Sequence, residues 1–271
     1  MTTLSDLHAA VERLWPSEFA ESWDAPGPVT GAGDDSVRKV LLAVDAVAAT
    51  VDQAVDESYD ALLVHHPLLL RGVTTVAESG FKGSLLAKLI RARCGLIAAH
   101  TNADIVDDGT SSALANRLGL VEQTAIEPGT RPGTGLGRVG RLTTPSTLGR
   151  VALALGEILP ATAGGVRVSG EYDQPVSTVA LCGGAGDSLL GHPSVRAADL
   201  YITSDLRHHP ASESREQSLH AGGPALIDVS HWASEWLWLD GAARALAEVL
   251  PGVEFTVSDL RTDPWDFVVT Q

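Results

Sequence analysis

Cysteines, basic residues and long hydrophobic runs are all scarce in this sequence. Among 271 residues there are two cysteines, and Cys94 and Cys182 both lie at the edge of apolar runs. A disulfide framework is therefore not implied, and we expect two buried thiols in a protein of the reducing cytoplasm. Because no run of about 18 apolar residues is present, we expect no transmembrane helix. The first residues lack the basic stretch and apolar core of a signal peptide, so we expect no export.

The shortage of basic residues argues against nucleic acid as a binding partner. The chain has 19 lysines and arginines against 34 aspartates and glutamates, which gives a formal net charge of −15. Such a chain repels nucleic-acid backbones unless it carries a local basic patch, and its arginines are scattered. We therefore expect no sequence-independent binding of nucleic acid, whereas a single nucleotide bound at a metal centre remains compatible with this charge.

The apolar pattern indicates an α/β protein. Apolar residues at helical spacing predict a helix over residues 4–14, and apolar runs at residues 61–65 and 95–100 predict buried strands. Strands that alternate with helices are typical of layered α/β folds with mixed, mostly parallel sheets. Hydrophobic residues make up 44% of the chain, which is ample for the cores of two lobes.

We predict a first α/β lobe over residues 1–125 and a similar second lobe over residues 126–271. The stretch of residues 128–145 is rich in glycine, proline and threonine, and we assign it to the inter-lobe region. Ligand sites of open α/β sheets lie at the carboxyl ends of strands. We expect the functional site of this chain in the cleft between the two lobes.

A histidine signature occurs twice. Each copy reads His-His-Pro, followed further on by a histidine with a carboxylate four residues later. The copies are His65-His66-Pro67 with His100 and Asp104, and His208-His209-Pro210 with His231 and Glu235. These copies contain six of the nine histidines, so they dominate the metal-binding potential of the chain. Internal duplication explains the repeat better than coincidence does, although α/β layering alone also places polar residues at strand ends.

The first pair of histidines ends an apolar strand. Neighbouring side chains of a strand diverge, so His65 and His66 are well placed to serve two different metal ions. The alternative interpretation is a solvated strand end. His100 also ends an apolar run, and Asp104 follows in a loop, which alone is a weak signal.

The second carboxylate is a stronger signal. If Ser230 caps a helix, His231 and Glu235 lie one turn apart on one helix face. A surface ion pair is the alternative, but the nearby Trp232 and Trp236 favour burial. The combined imidazoles and carboxylates are too many for one structural zinc and suit two bridged metals. Without a thiolate among them, zinc, manganese, iron(II) and magnesium all remain open.

Motifs along the chain also carry a resemblance. They are Trp23-Asp24, Asp45 and residues 63–67, 99–104, 137–140, 182–186, 202–205, 208–209 and 228–235. In this order they resemble the Nif-three-like proteins, also called GTP cyclohydrolase I type 2 homologues, over nearly the whole chain. The short segment of residues 121–177 leaves no room for the domain that some members carry inserted there.

The resemblance implies a dinuclear metal centre and a toroidal homohexamer built as a trimer of dimers. The residues that match the family's metal ligands are His65, His66, Asp104, His231 and Glu235, with Glu235 as the bridge. His100 matches a residue close to the metals. The implied cofactors are two divalent metal ions per chain.

Two classes of function remain open. The first is a metal-dependent hydrolase of a nucleotide or phosphoester, in which His100 shuttles protons. There His208 and His209 bind the substrate or its leaving group, unless they are rim residues without a role. The loop of residues 183–186 could hold a phosphate through backbone N–H groups. The second class is a non-catalytic metal-binding or regulatory ring scaffold, and whether the chain is an enzyme stays open.

Overall fold

The computed structural model describes residues 1–270. The helices are α1 (Leu4–Leu14), α2 (Ala48–Asp56), α3 (Phe81–Ala92), α4 (Thr101–Asp104), α5 (Thr110–Arg117), α6 (Leu148–Ile158), α7 (Pro193–Arg196), α8 (His208–Ala221) and α9 (His231–Val249). The strands are β1 (Gly27–Thr30), β2 (Lys39–Asp45), β3 (Ala61–His66), β4 (Gly95–Ala98), β5 (Leu120–Thr124), β6 (Glu127–Pro128), β7 (Gly135–Leu136), β8 (Arg138–Thr147), β9 (Arg167–Ser169), β10 (Pro175–Ala185), β11 (Leu200–Ser204), β12 (Ala225–Val229) and β13 (Glu254–Val257).

The chain forms two compact units. The first contains residues 1–103 and 239–262, and the second contains residues 104–238 and the residues from 263 onward. The boundaries of these units are not a single division of the chain at residue 125. Strand β13 pairs with β2 and so returns to the first unit, whereas β5 pairs with β8 and so belongs to the second.

The first unit has a five-stranded sheet in the order β1-β4-β3-β2-β13. Strands β2, β3, β4 and β13 run parallel, and β1 is antiparallel to β4. Helices α2 and α3 cover one face, where Val51 and Leu89 pack against Leu62 in a buried apolar cluster. Helix α1 begins with a capping box in which Thr3 and Asp6 exchange hydrogen bonds, which satisfies N–H groups of its first turn.

The second unit has a six-stranded sheet in the order β5-β8-β10-β11-β12-β9. Strands β10, β11 and β12 are parallel, and the flanking strands are antiparallel. Successive residues of a strand point to opposite faces. Accordingly Leu181 and Ile202 join one apolar cluster, whereas Cys182 and Tyr201 join another.

These sheets confirm the predicted class, which was two α/β lobes with mixed, mostly parallel sheets. The assignment of residues 128–145 to an inter-lobe region was wrong. Those residues form the β6–β7 hairpin and most of β8, which pairs with β5 on one side and β10 on the other. The close approach of β5 needs Gly140, because a Cβ there would lie 2.9 Å from the Val121 carbonyl oxygen.

Both cysteines are buried free thiols, as expected. No helix within residues 1–270 is long and apolar enough to cross a membrane.

Candidate metal centre

His65 is a fully buried residue of β3 with a defined ring orientation. Its Nδ1 lies 2.8 Å from the carbonyl oxygen of Ala99. Because a carbonyl oxygen only accepts hydrogen bonds, Nδ1 carries the proton, and the lone pair of the neutral ring is on Nε2. A backbone acceptor that fixes the tautomer in this way is the usual second-shell contact of a metal-binding histidine.

His66, the last residue of β3, is oriented by a carboxylate. Its Nδ1 lies 2.7 Å from Oδ1 of Asp45, the last residue of β2 and its register neighbour in the sheet. Asp45 also accepts a hydrogen bond from the Thr262 hydroxyl through Oδ2. The parallel pairing of β2 and β3 thus brings a carboxylate to the side of the ring that faces away from Nε2.

His100 follows β4 and completes a group of three imidazoles in the first unit. One ring nitrogen each of His65, His66 and His100 lies within 4.8 Å of the other two. The ring centroids are 5.0, 5.2 and 5.4 Å apart. Neighbouring strand side chains diverge in general, but both histidines of β3 contribute a ring nitrogen to this group.

Asp24 is the carboxylate that contacts His100. Its Oδ1 lies 2.7 Å from Nδ1 of His100, and its Oδ2 accepts from the backbone N–H and the hydroxyl of Thr101. Burial favours the neutral acid, but the hydrogen bonds from His100 and Thr101 outweigh it and lower the pKa of Asp24 to about 2. Asp24 is therefore ionised at neutral pH.

In the second unit, α9 carries an imidazole and a carboxylate one turn apart. Ser230 caps the helix by accepting from the Ala233 N–H at 3.2 Å, as the sequence predicts. Nε2 of His231 lies 2.9 Å from Oε1 of Glu235, whose side chain is almost fully buried. Nδ1 of His231 lies 2.7 Å from Oδ2 of Asp205.

The contact of His231 with Glu235 has a chemical consequence. When Nδ1 of the neutral ring donates to Asp205, Nε2 of His231 and Oε1 of Glu235 are both acceptors. Two acceptors at hydrogen-bond distance repel each other unless a proton or a cation lies beside them. This pair therefore fits a divalent cation, and it presents one nitrogen and one oxygen donor to it.

The glycine-rich loop of residues 183–186 lies beside this pair. The N–H of Gly183 donates to the Ser111 hydroxyl and that of Gly184 to the Ser234 hydroxyl, so both are already used. Gly184 has φ +68°, and a Cβ there would lie 2.4 Å from Oε1 of Glu235. Its missing side chain leaves the room in which the Glu235 carboxylate lies.

Asp104 is the last residue of the short helix α4, not a loop residue as the sequence suggested. Its Oδ1 accepts from the Thr110 hydroxyl at 2.5 Å. Burial and the charges of Asp104 and Glu235 raise the pKa of the nearby Cys182 thiol to about 12. Cys182 is therefore protonated at neutral pH and supplies no thiolate.

His208 and His209 belong to neither group of metal-binding side chains found among residues 1–270. They occupy the exposed first turn of α8, with ring centroids 5.2 Å apart. Their proposed role in substrate binding stays a prediction.

Sequence reasoning missed the residues that orient the imidazoles, namely Asp24, Asp45 and Asp205. Asp45 ends β2, Asp205 follows β11 directly, and Asp24 lies three residues before β1. All three fall within the motifs of the family resemblance, but their imidazole partners depend on which strands pair. The donor set that results is imidazole and carboxylate without thiolate, which fits hard or borderline divalent cations such as Zn²⁺, Mn²⁺, Fe²⁺ or Mg²⁺.

Known proteins are similar to this chain in sequence and fold. A sequence model of the family Duf34/NIF3 (NGG1p interacting factor 3) matches residues 2–264. A GTP cyclohydrolase 1 type 2 homolog of Streptomyces coelicolor is 47% identical, and the alignment covers 98% of this chain and 94% of the relative. A protein of the same name from Mycobacterium tuberculosis is 34% identical, with 97% and 96% covered.

Solved structures agree in fold. A hypothetical protein of Staphylococcus aureus has a TM-score of 0.88 at 26% identity, with 98% of this chain and 99% of that chain covered. A Bacillus cereus protein related to NIF3 has a TM-score of 0.89 at 22% identity, with the same coverage. The near-complete family match and the 47% identity confirm the resemblance drawn from the motifs: this chain belongs to the Duf34/NIF3 family.

Proposed function

We propose that the protein binds two divalent metal ions and acts as a metal-dependent hydrolase of a nucleotide or phosphoester. The metal ligands in this proposal are His65, His66, Asp104, His231 and Glu235, with Glu235 as the bridge. The supporting observation is the common orientation of the imidazoles. Each has its Nδ1 on a carbonyl or carboxylate oxygen, so the neutral ring presents the lone pair of Nε2.

The chemistry follows from such a centre. Two bound divalent ions would lower the pKa of a water molecule and polarise a phosphoryl or carbonyl oxygen of the substrate. The role of the chain is to fix the donors. Ala99 orients His65, Asp45 orients His66, Asp205 orients His231, and the buried Thr110 hydroxyl holds Asp104.

The substrate is less specified than the metal site. The curated relatives are named GTP cyclohydrolase 1 type 2 homolog, but no contact described in either unit selects guanine. We therefore propose the broader class, nucleotides and phosphoesters, with His208 and His209 as candidates for binding the substrate. The competing proposal is a metal-binding ring scaffold without turnover, which the strongly acidic composition also suits.

The test begins with metal content. Purified protein is reconstituted with Zn²⁺ or Mn²⁺, its metals per chain are measured, and nucleotides and phosphoesters are screened for turnover. We expect about two metals per chain in the wild type. We expect a sharp loss of bound metal and of turnover in Glu235→Gln and in His66→Ala. The matched control is His220→Ala, an exposed histidine of α8. Less than one metal per chain in the reconstituted wild type contradicts the dinuclear centre, and metal-loaded protein without turnover on any substrate favours the scaffold.

Two further proposals come with the family. We propose the homohexamer that the resemblance implies, and light scattering of metal-loaded protein tests it, since a stable monomer with full metal content contradicts it. We also propose the cytoplasm as the compartment, because both cysteines are free thiols.

A further inference from the structure

Trp23 is a large aromatic residue that lies beside His100 and is nevertheless 59% exposed. We infer that Trp23 is a specificity-determining residue, on whose indole ring the planar base of a nucleotide stacks. This inference rests on the proposed function, and it narrows the proposed substrate class from phosphoesters in general to nucleotides.

Trp23 occupies a tight turn. The N–H of Asp24 donates to the carbonyl oxygen of Glu21 at 2.9 Å, so residues 21–24 form a β-turn with Trp23 at its third position. Turns favour glycine, asparagine, aspartate and serine for reasons of backbone conformation. An exposed indole adds little to folding, because most of its apolar surface stays in water. The local structure therefore gives no reason for a tryptophan at this position.

The turn is anchored at both ends to Thr101. The Thr101 hydroxyl accepts from the N–H of Glu21 at 2.9 Å, and the Thr101 N–H and hydroxyl donate to Oδ2 of Asp24. The Asp24 side chain is fully buried, and its Oδ1 contacts Nδ1 of His100. The backbone on both sides of Trp23 is thus held in place. A preformed position of the indole lowers the entropy that a ligand must lose on binding.

Strand pairing brings this turn to the imidazoles of the first unit. Gly27, the first residue of β1, pairs with Ala98, the last residue of the antiparallel β4. The turn just before β1 therefore lies beside His100, just after β4. The rings of Trp23 and His100 are 5.9 Å apart with planes at 77°. A nearly perpendicular contact covers at most part of one indole face, so the other face is open to a ligand.

The open indole face suits a nucleobase. Aromatic side chains stack on every type of base, because each base has a flat π face. A sugar phosphate without a base offers the indole no such partner. In the proposed centre the metal ions attract the phosphate, which the acidic chain itself repels. Trp23 then holds the other end of the same ligand, next to the imidazole of His100.

The test compares ligands that differ in the base. Zn²⁺-loaded protein is titrated calorimetrically with adenosine 5′-monophosphate, guanosine 5′-monophosphate and ribose 5-phosphate. We expect Trp23→Ala to weaken binding of both nucleotides about 5- to 150-fold, as the loss of one stacked base predicts, and to leave ribose 5-phosphate unaffected. Trp23→Phe keeps an aromatic ring and should retain most of the affinity. Trp23→Leu is apolar without a π face and should behave like Trp23→Ala.

Fluorescence provides a readout that a purely structural role would not change. A base stacked on an indole quenches its emission, so both nucleotides should quench the wild type more than Trp23→Phe. Ribose 5-phosphate should quench neither protein. The matched control is Trp265→Ala, which removes a tryptophan that is 69% exposed in the C-terminal segment. This variant should bind both nucleotides like the wild type.

The outcomes separate this inference from the proposed function. If the wild type binds nucleotides no better than ribose 5-phosphate, or Trp23→Ala binds them like the wild type, only the inference is overturned, and simpler phosphoesters remain as substrates. Loss of bound Zn²⁺ in all three Trp23 variants also overturns it, since Trp23 then supports the metal centre and not the base. A wild type that binds no Zn²⁺ overturns the proposed function itself.

Discussion

The two units share a core of parallel strands but carry different residue types at the ends of those strands. In the first unit Ala61 of β3 pairs with Gly95 of β4, and in the second Leu200 of β11 pairs with Ala225 of β12. Counting along the strands from these pairs, His66 of the first unit corresponds to Asp205 of the second. One unit thus places an imidazole at the strand end where the other places a carboxylate.

A second pair of corresponding positions shows which element of the second unit carries its metal-binding side chains. Counting from the same pairs, His231 corresponds to Thr101, and both begin a helix directly after a parallel strand. The first unit presents imidazoles from strand ends, whereas the second presents His231 and Glu235 from the first turns of a helix. The shared backbone therefore fixes where donors can be placed, and the residue types decide which positions are used.

One structural device is common to both units. Asp60 precedes β3 and its Oδ2 accepts from the N–H groups of Arg38 and Lys39. Asp199 precedes β11 and its Oδ2 accepts from the N–H groups of Ser177 and Thr178, and from the Thr178 hydroxyl. In each unit an aspartate thus connects the start of one central strand to the start of the next.

The largest predicted effect is the loss of stability when the aspartate that connects the two strand starts is removed. We expect Asp199→Ala to lower the free energy of unfolding by about 2–3 kcal/mol, because three partly buried donors lose their acceptor. Asp60→Ala should cost less, about 1–2 kcal/mol, since it removes the acceptor of two N–H groups and a 3.7 Å ion pair with the exposed Arg38 side chain that adds little. Denaturant unfolding, with hydrogen exchange in β3 and β11, measures both. Equal costs in the two variants would contradict the ranking by donor number.

Acid titration sharpens this prediction. Burial opposes ionisation of Asp199, but the N–H groups of Thr178 and Ser177 and the Thr178 hydroxyl outweigh it, so the pKa of Asp199 is lowered. A lowered pKa in the folded state gives stability that is complete above the unfolded pKa and is lost as the pH falls through the folded value. The stability gap between wild type and Asp199→Asn should shrink from about pH 5 to about pH 3. A constant gap over this range would show that ionisation of Asp199 does not matter.

Sequence patterns predicted the buried strands that end in histidine but not the correspondence between units. The repeat His-His-Pro aligns His66 with His209, but counting along the corresponding strands aligns His66 with Asp205, and His209 lies in α8. A local motif carries no information about register, because register depends on the neighbouring strands. The same limit explains residues 128–145, whose glycine and proline content predicted a connection although residues 138–145 lie in β8 and the residues before them form the β6–β7 hairpin.

The orienting contacts were beyond sequence reasoning for a similar reason. Asp24 and His100 meet only because β1 is antiparallel to β4, and Asp45 meets His66 only through the pairing of β2 with β3. By contrast, the cap at Ser230 and the pair His231–Glu235 were predicted, since both depend on helical spacing within one segment.

The second prediction tests whether the Glu235 carboxylate needs the space that Gly184 leaves open. We expect Gly184→Ala to cost about 2 kcal/mol of stability, since alanine at positive φ is strained by about 1–2 kcal/mol and its Cβ also meets Glu235. Metal affinity should fall with it. The control is Gly156→Ala in α6, where no atom lies within 4 Å of the added Cβ, and which should stabilise the protein by about 0.5–1 kcal/mol. Unchanged metal affinity in a folded Gly184→Ala would contradict the role of this glycine.

The third prediction compares the carboxylates that orient one imidazole in each unit. Asp45 is 23% exposed and Asp205 is 60% exposed. Because solvent weakens the more exposed contact, we expect Asp45→Asn to lower Zn²⁺ affinity by about 10- to 100-fold and Asp205→Asn by less. Isothermal titration with Zn²⁺ measures both. A larger loss in Asp205→Asn would reverse this comparison.

The smallest predicted effect concerns a residue one contact further from the imidazole of His66. The Thr262 hydroxyl donates to Oδ2 of Asp45, whose Oδ1 contacts His66. Thr262→Val keeps the shape of the side chain and removes this donor, so Asp45 gains freedom to rotate but keeps its charge. We expect Zn²⁺ affinity to fall by less than about tenfold, below the usual second-shell effect. Thr262→Ser, which retains the hydroxyl, should bind Zn²⁺ like the wild type. If valine and serine behave alike, the orientation of His66 depends on Asp45 and the β2–β3 register alone.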